Sequence, residues 1–360
     1  MKIFYAVTAT GNGHISRAME LLPYLQKHGE VDIFLSGANS SLNIDAPVKY
    51  RSKGISLFFN STGKLDYWKI LKNLHPFDLK KEVNELPVEK YDLVINDFEY
   101  ITAAACAKKK IPSVQMGHQA SFQSFRTPRP DKKQFVGEWI LKKLAPASHY
   151  IGIHFDRYDD FIFPPVIKKE ILYAEPADKN HITVYLPSYC EPQLEKIFHS
   201  LKEFRFEIFS HGSNQSRISS NINFIPVDKK RFNESLINCT GIITGGGFET
   251  PAEALHLGKK LISIPIRGHY EQLCNAAALQ KLGVSILKKV DEDFSSVFYE
   301  WINTAPVQVN YKNSTAEILE HLFEWHAKAE SFDKKKSAGA YDRERLHENF
   351  VPGNFICLLK

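Results

Sequence analysis

Residues 241–283 read GIITGGGFETPAEALHLGKKLISIPIRGHYEQLCNAAALQKLG. The β-branched run Ile242-Ile243-Thr244 leads straight into Gly245-Gly246-Gly247, and a helical pattern carrying Glu249 and Glu253 follows at once. Strand, bare backbone turn and helix start, in that order, form an anion cradle. Amide N–H groups converge there, and no Cβ stands between them and a diphosphate. The carboxylates just beyond can accept ribose hydroxyls. A second strand, LISIPI, ends at His269-Tyr270-Glu271-Gln272, where a sugar can be held. Each part falls at the carboxyl end of a strand, where open α/β sheets bind their ligands.

The same rhythm fills the chain. Short apolar runs at 3–9, 31–37, 92–98, 112–118 and 149–155, with a weaker one in 47–60, alternate with helical patterns at 15–28 and 100–110. It restarts at 181–187, 204–210, 222–227, 241–246, 261–266 and 283–287. Such alternation predicts parallel sheets with crossover helices. The expected layout is α/β, with two doubly wound Rossmann-like domains facing each other across a cleft. Residues 1–155 form the first and 181–313 the second. The stretch 156–180 holds Pro164, Pro165 and Pro176 without clean periodicity and reads as a linker. The tail, 314–360, is expected to be helical or irregular, with a final helix crossing back to the first domain.

Composition sets the outer limits. With 360 residues, 43% hydrophobic and 24% charged, the chain can bury two cores. A net charge of +5 is too mild for nucleic acid as a partner, which needs a dense basic stripe. Five scattered cysteines, Cys106, Cys190, Cys239, Cys274 and Cys357, show no zinc spacing and read as reduced thiols. The opening MKIFYAVTAT is a first strand rather than a signal peptide, and no apolar run reaches membrane-spanning length. A cytoplasmic protein is expected.

The first strand ends in Thr10-Gly11-Asn12-Gly13-His14-Ile15-Ser16-Arg17. A dinucleotide fingerprint fails here. Ser16 stands at the third glycine position, and the second strand ends in Ser36-Gly37 without the ribose-binding acid. That also disfavours an oxidoreductase. The distinguishing residue is His14, at a helix start whose positive dipole suits the neutral imidazole of a general base. The plainer reading is a helix cap. Asp97 ends the strand DLVINDF at the same rim and can orient that imidazole, or can cap the next helix. Glu99 competes for the role and is otherwise expected, with His118, on the acceptor side. His118, after PSVQM, can line an acceptor pocket or be a hydrogen-bonded structural histidine.

With these motifs in hand, the chain resembles the two-domain nucleotide-sugar glycosyltransferases of the GT-B fold. It is closest in pattern to the peptidoglycan N-acetylglucosaminyltransferase, diacylglycerol sugar transferase and UDP-glucuronosyltransferase-like group. GNGHISR and ITGGGFETPAEALHLGKKLISIPIRGHYEQLCNAAALQKLG carry the resemblance. It implies His14 as base, and Gly245, Gly246 and Gly247 on the donor diphosphate, with Gly13 and Phe248 beside them. It implies Glu253 on the ribose, with Glu249 as near alternative, Glu271 and Gln272 on the donor sugar, and Asn275 as polar support. Val227 to Phe232 would hold the base ring, and the turn Ser210-His211-Gly212-Ser213 would reach phosphate through His211. Fewer glycines before the histidine, and Phe248 where relatives carry His or Ser, depart from the pattern.

The leaving diphosphate can be stabilised by helix dipole and backbone donors, so neither metal nor cofactor is expected. Asp291-Glu292-Asp293 reads as the start of a solvated helix. The expected reaction is an inverting transfer from a UDP-sugar to an acceptor hydroxyl, that of a lipid or cell-envelope glycan. Residues 122–144 interleave Arg126, Arg129, Lys132, Lys133, Lys142 and Lys143 with Phe122, Phe125, Phe135, Trp139 and Ile140. Such a segment can dock on an anionic bilayer, or be a solvated helix packed on its sheet. Competing readings are a UDP-sugar 2-epimerase of the same fold and a non-catalytic sugar-nucleotide-binding protein.

Overall fold

The computed structural model describes residues 1–9, 11–37, 44, 46–55, 76–212, 214–291 and 293–338, with 330–338 as backbone only. Thr10, Ser213, Glu292, residues 56–60 of the 47–60 region and the tail beyond 338 lie outside the described residues.

Fourteen strands are described, in two seven-stranded sheets. The first half runs β1 (Lys2–Thr8), α1 (Asn12–Leu25), β2 (Glu30–Ser36), β3 (Val48–Ser52) and α2 (Pro76–Glu85). It continues β4 (Leu93–Asp97), α3 (Tyr100–Lys109), β5 (Val114–Gly117), α4 (Phe135–Lys143), β6 (His149–Ile153) and β7 (Ile162–Phe163). The sheet order is β3-β2-β1-β4-β5-β6-β7, all parallel. Every residue of β4 is buried, as a central parallel strand covered on both faces requires.

The second half begins with α5 (Lys169–Leu172), β8 (Ile182–Tyr185), α6 (Glu191–Phe198), β9 (Phe206–Ser210), β10 (Arg217–Ser219) and β11 (Ile222–Pro226). It continues α7 (Lys229–Asn238), β12 (Gly241–Gly245), α8 (Glu249–His256), β13 (Lys260–Ile264), α9 (Tyr270–Lys281), β14 (Ser285–Ile286), α10 (Phe294–Ile302) and α11 (Thr315–Ala338). Its order is β10-β11-β9-β8-β12-β13-β14, with only the edge strand β10 antiparallel.

Two details differ from the sequence reading. Residues 162–163, inside the expected linker, form β7 and extend the first sheet beside Gly152 and Ile153. β10 closes the edge of the second sheet and carried no signal of its own. In both sheets the strand order reverses at one place, between β1 and β4 and between β8 and β12. The crevices at such reversals are where doubly wound sheets bind ligands.

An apolar cluster passes without a break from Val7, Ile95 and Ile153 through Phe155 and Phe248 to Ala252 and Leu255. The two halves therefore share a core. α11 returns to the first half. His149 stacks on Trp325 with ring centroids 5.1 Å apart, His28 stacks on Phe323, and Arg157 pairs with Glu317. Upstream of α11, Tyr311 donates to the Phe155 carbonyl and Ser314 to that of Pro165.

Candidate active site

β1 and β4 pair with Val7 opposite Asp97, so the turn after β1 and the end of β4 share one rim. His14 lies in the first turn of α1, and its Nδ1 is 3.0 Å from Asp97 Oδ1. The carboxylate also accepts two bonds from Arg17 Nη2, at 2.8 and 2.9 Å. With the guanidinium hydrogens directed at both carboxylate oxygens, Nδ1–H of His14 donates to Asp97 and Nε2 is left for the cleft. Gln119 Nε2 is 3.5 Å from that atom. Burial raises the Asp97 carboxyl, but Arg17 and His14 outweigh it and hold the group below its ordinary value.

Asp97, not Glu99, is the partner of His14. Phe98 between them sits at φ 56°, the left-handed region a bulky residue avoids. This turn sends the two carboxylates different ways. Glu99 caps α3, accepting from the N–H groups of Ile101 at 2.9 Å and Thr102 at 2.6 Å. It is 2% exposed and burial raises its pKa, and beside this capping role it lines the cavity between the halves with Phe98 and Tyr100.

Across the cleft, the glycine bend after β12 feeds α8. Gly247 is open: a Cβ there would meet nothing within 4 Å. Gly246 is the opposite: a Cβ there would lie 2.9 Å from Gln272 and Pro265. Gln272 Oε1 accepts from Ile266 N–H at 2.8 Å, fixing the loop after β13. Glu271 stays below its ordinary value although burial opposes it, because His118, His269 and His14 surround it and Gln119 hydrogen-bonds to it.

Several expected donor contacts are otherwise engaged. Phe248 is 4% exposed, stacks on His118 with centroids 4.1 Å apart, and packs on Phe155. Its ring seals the two halves together instead of facing a donor. His118 does not line an acceptor pocket. It is 1% exposed, with Nδ1 3.0 Å from the Ile153 carbonyl and Nε2 2.7 Å from Asn275 Oδ1. Asn275 Nδ2 donates to the Gly246 carbonyl at 3.0 Å. One bridge of side chains therefore runs from β6 to the glycine bend, and burial pushes the His118 imidazole down.

Glu253, 3% exposed, sits 3.1 Å from Lys168 Nζ, an ammonium that also donates to Asn233. Glu249 pairs with Arg17 from the other half. His211 Nε2 is 3.4 Å from the Tyr185 hydroxyl, Asp228 caps α7, and Phe232 packs edge-on against Tyr185. Asp291 pairs with Lys289 at 2.7 Å, and Asp293 precedes α10. Among the described residues no group of three or more His, Cys, Asp or Glu side chains is placed to hold a metal ion.

Two glycines make the cluster possible. A Cβ on Gly13 would overlap the Glu249 carboxylate, and one on Gly117 would lie 2.5 Å from Asp97 Oδ1 and 3.3 Å from Arg17 Nη2. Arg17, Gln119 and Lys168 were missed by sequence reasoning. For Arg17 a signal was present: it follows His14 by three residues on one helix, which puts both on one face.

Two open sheets meeting at their carboxyl ends, with an imidazole–carboxylate pair opposite a glycine bend, describe a GT-B glycosyltransferase. The chain belongs to glycosyl transferase family 1, whose profile matches residues 1–304. An uncharacterized glycosyltransferase of Methanosarcina acetivorans is 22% identical, covering 89% of this chain and 92% of that protein. Among solved structures, Acinetobacter baumannii MurG shares 18% identity over 84% of this chain and 90% of its own, with a TM-score of 0.52. Phytolacca americana UGT2, complexed with UDP-2fluoro-glucose and pterostilbene, shares 14% over 91% and 98%, with a TM-score of 0.55.

Proposed function

We propose that this glycosyltransferase moves a sugar from a nucleoside diphosphate, UDP by preference, to the hydroxyl of an acceptor bearing an apolar group. The transfer inverts the anomeric centre and uses no metal. One observation carries the reading: Gly13, next to His14, lies against Glu249, two residues past the glycine bend. Base and diphosphate cradle are thereby within one substrate's reach. His14 Nε2 takes the acceptor proton and the acceptor oxygen bonds to the anomeric carbon. The carbon–oxygen bond to the diphosphate breaks on the far side, with its electron pair leaving on phosphate. Amides of the bend and the start of α8 receive that charge. Asp97 holds the imidazole and balances its gained proton. In this reading Glu271 and Gln272 take the sugar hydroxyls.

A cavity between the halves supports the apolar acceptor. Phe98, Ile140, Leu141 and Leu144 line one side, and His269 to Glu271 the other. Phe125 and Phe135 stand 86% and 78% exposed on the same segment, which also carries Lys132 and Lys133. Such a surface suits an acceptor held in a membrane. No helix among the described residues is long and apolar enough to cross one.

The test is a thermal-shift panel of nucleoside diphosphates and their sugars, followed by product analysis. UDP should stabilise the protein, and His14→Ala should keep that shift while losing transfer by 10²-fold or more, on the order of a general base's contribution. A flat panel removes the donor assignment. Transfer at the normal rate by His14→Ala removes the base. Interconversion of a UDP-sugar without acceptor identifies an epimerase of this fold instead.

A further inference from the structure

On the donor reading given above, we propose that Arg17 is the counter-charge that makes Glu249 compatible with a diphosphate at the adjoining bend. It is therefore a positioning residue for the donor. Glu249 opens α8, two residues beyond Gly247, so its carboxylate and a bound diphosphate share one helix start. Two anionic groups there repel unless a cation intervenes. The first half of the chain supplies that cation. Arg17 is fixed from below by two bonds to Asp97 and extends Nη1 to Glu249 Oε1. Its planar fork, with donors in a fixed geometry, serves two carboxylates at once. Its own pKa is raised by Asp97 and Glu249 although burial opposes this, so the charge is permanent.

Only 2% of the Arg17 side chain is exposed, against 23% for Glu249. Arg17 therefore acts through Glu249 and does not itself grip the donor. Gly13 leaves the space that the Glu249 carboxylate occupies when drawn to Arg17. The pairing also means that an anion at the bend finds its neutralised neighbour only when the two halves are together.

The experiment is calorimetric binding of UDP and dTDP, each against its nucleoside, to wild type, Arg17→Gln, Glu249→Gln and the double variant. Arg17→Gln should weaken the diphosphates by about tenfold, the effect of a kilocalorie or so of uncancelled repulsion. Nucleoside binding should not change. Glu249→Gln alone should bind the diphosphates at least as tightly as wild type. Adding it to Arg17→Gln should restore affinity to within about threefold. Unchanged affinity in Arg17→Gln, no rescue in the double variant, or tenfold weakening in Glu249→Gln overturns the inference. If Arg17→Gln does not fold, Arg17→Lys replaces it, with a smaller loss and the same rescue required. Wild type that binds neither diphosphate better than its nucleoside overturns the donor reading, and the role of Arg17 with it.

Discussion

Asp97 has no solvent contact, yet two neighbours keep it ionised. The space it occupies depends on Gly117, at the end of the neighbouring strand β5. Its φ is not in the left-handed region, so the glycine is needed for room and not for backbone freedom. Gly117→Ala should cost about 1–3 kcal/mol, as overpacking of a filled interior does. It should also reduce transfer more than it reduces UDP affinity. A variant with unchanged melting temperature and turnover would show that the carboxylate has slack. At this scale the sequence revealed the residues that end strands. Asp97 closes one apolar run and His14 follows another across a glycine turn, and the end of a strand fixes the rim on which such residues fall. It did not reveal where His118, Asn275 and Glu253 point. Their partners Ile153, Gly246 and Lys168 are 35, 29 and 85 residues away, the last of them in the linker, and periodicity carries no information on such pairings.

Elements were legible in proportion to their burial. The central parallel strands are continuous apolar runs, and each was visible within a residue or two. β7 was not. Two residues among prolines have no period, and only the free edge of β6 selects them. The segment from 122 to 144 was ambiguous between a packed and a membrane-facing helix, and it divides. Phe122 and Leu141 are buried with Tyr270 and Cys274 of the second half, while Arg129 lies over the Phe122 ring and pairs with Glu138 at 2.9 Å. Phe125 and Phe135 face outward. Replacing both by Ser should leave the melting temperature within a degree or two, since neither ring is packed. It should abolish co-sedimentation with anionic phospholipid vesicles at low salt. Equal sedimentation of the variant, or none by wild type, removes the membrane contact.

For the whole molecule, histidines set the acid limit. His118, His154, His181 and His269 are pushed below their ordinary value by burial above all, and His149 falls to about 4 by burial beside His321. In the unfolded chain each titrates near 6.5. Below that pH the unfolded chain binds more protons than the folded one, so stability is full above about pH 7 and declines as pH falls through 6.5 toward the folded values. The melting temperature should drop by several degrees between pH 7.5 and 5.5, well above the range in which Asp97 would protonate. His154 accepts from Phe155 N–H through Nδ1 and leaves Nε2 buried without a hydrogen-bond partner. His154→Phe should therefore lessen the drop. A melting temperature constant over that interval would contradict the assignment.

α11 has a consequence for how the polypeptide is made. The ribosome releases the strands of the first sheet well before Phe323 and Trp325, the partners of His28 and His149. The portion synthesised first is thus completed last. A nascent chain stopped after β14 would leave His28 and His149 uncovered, an attractive target for holdase chaperones until α11 emerges.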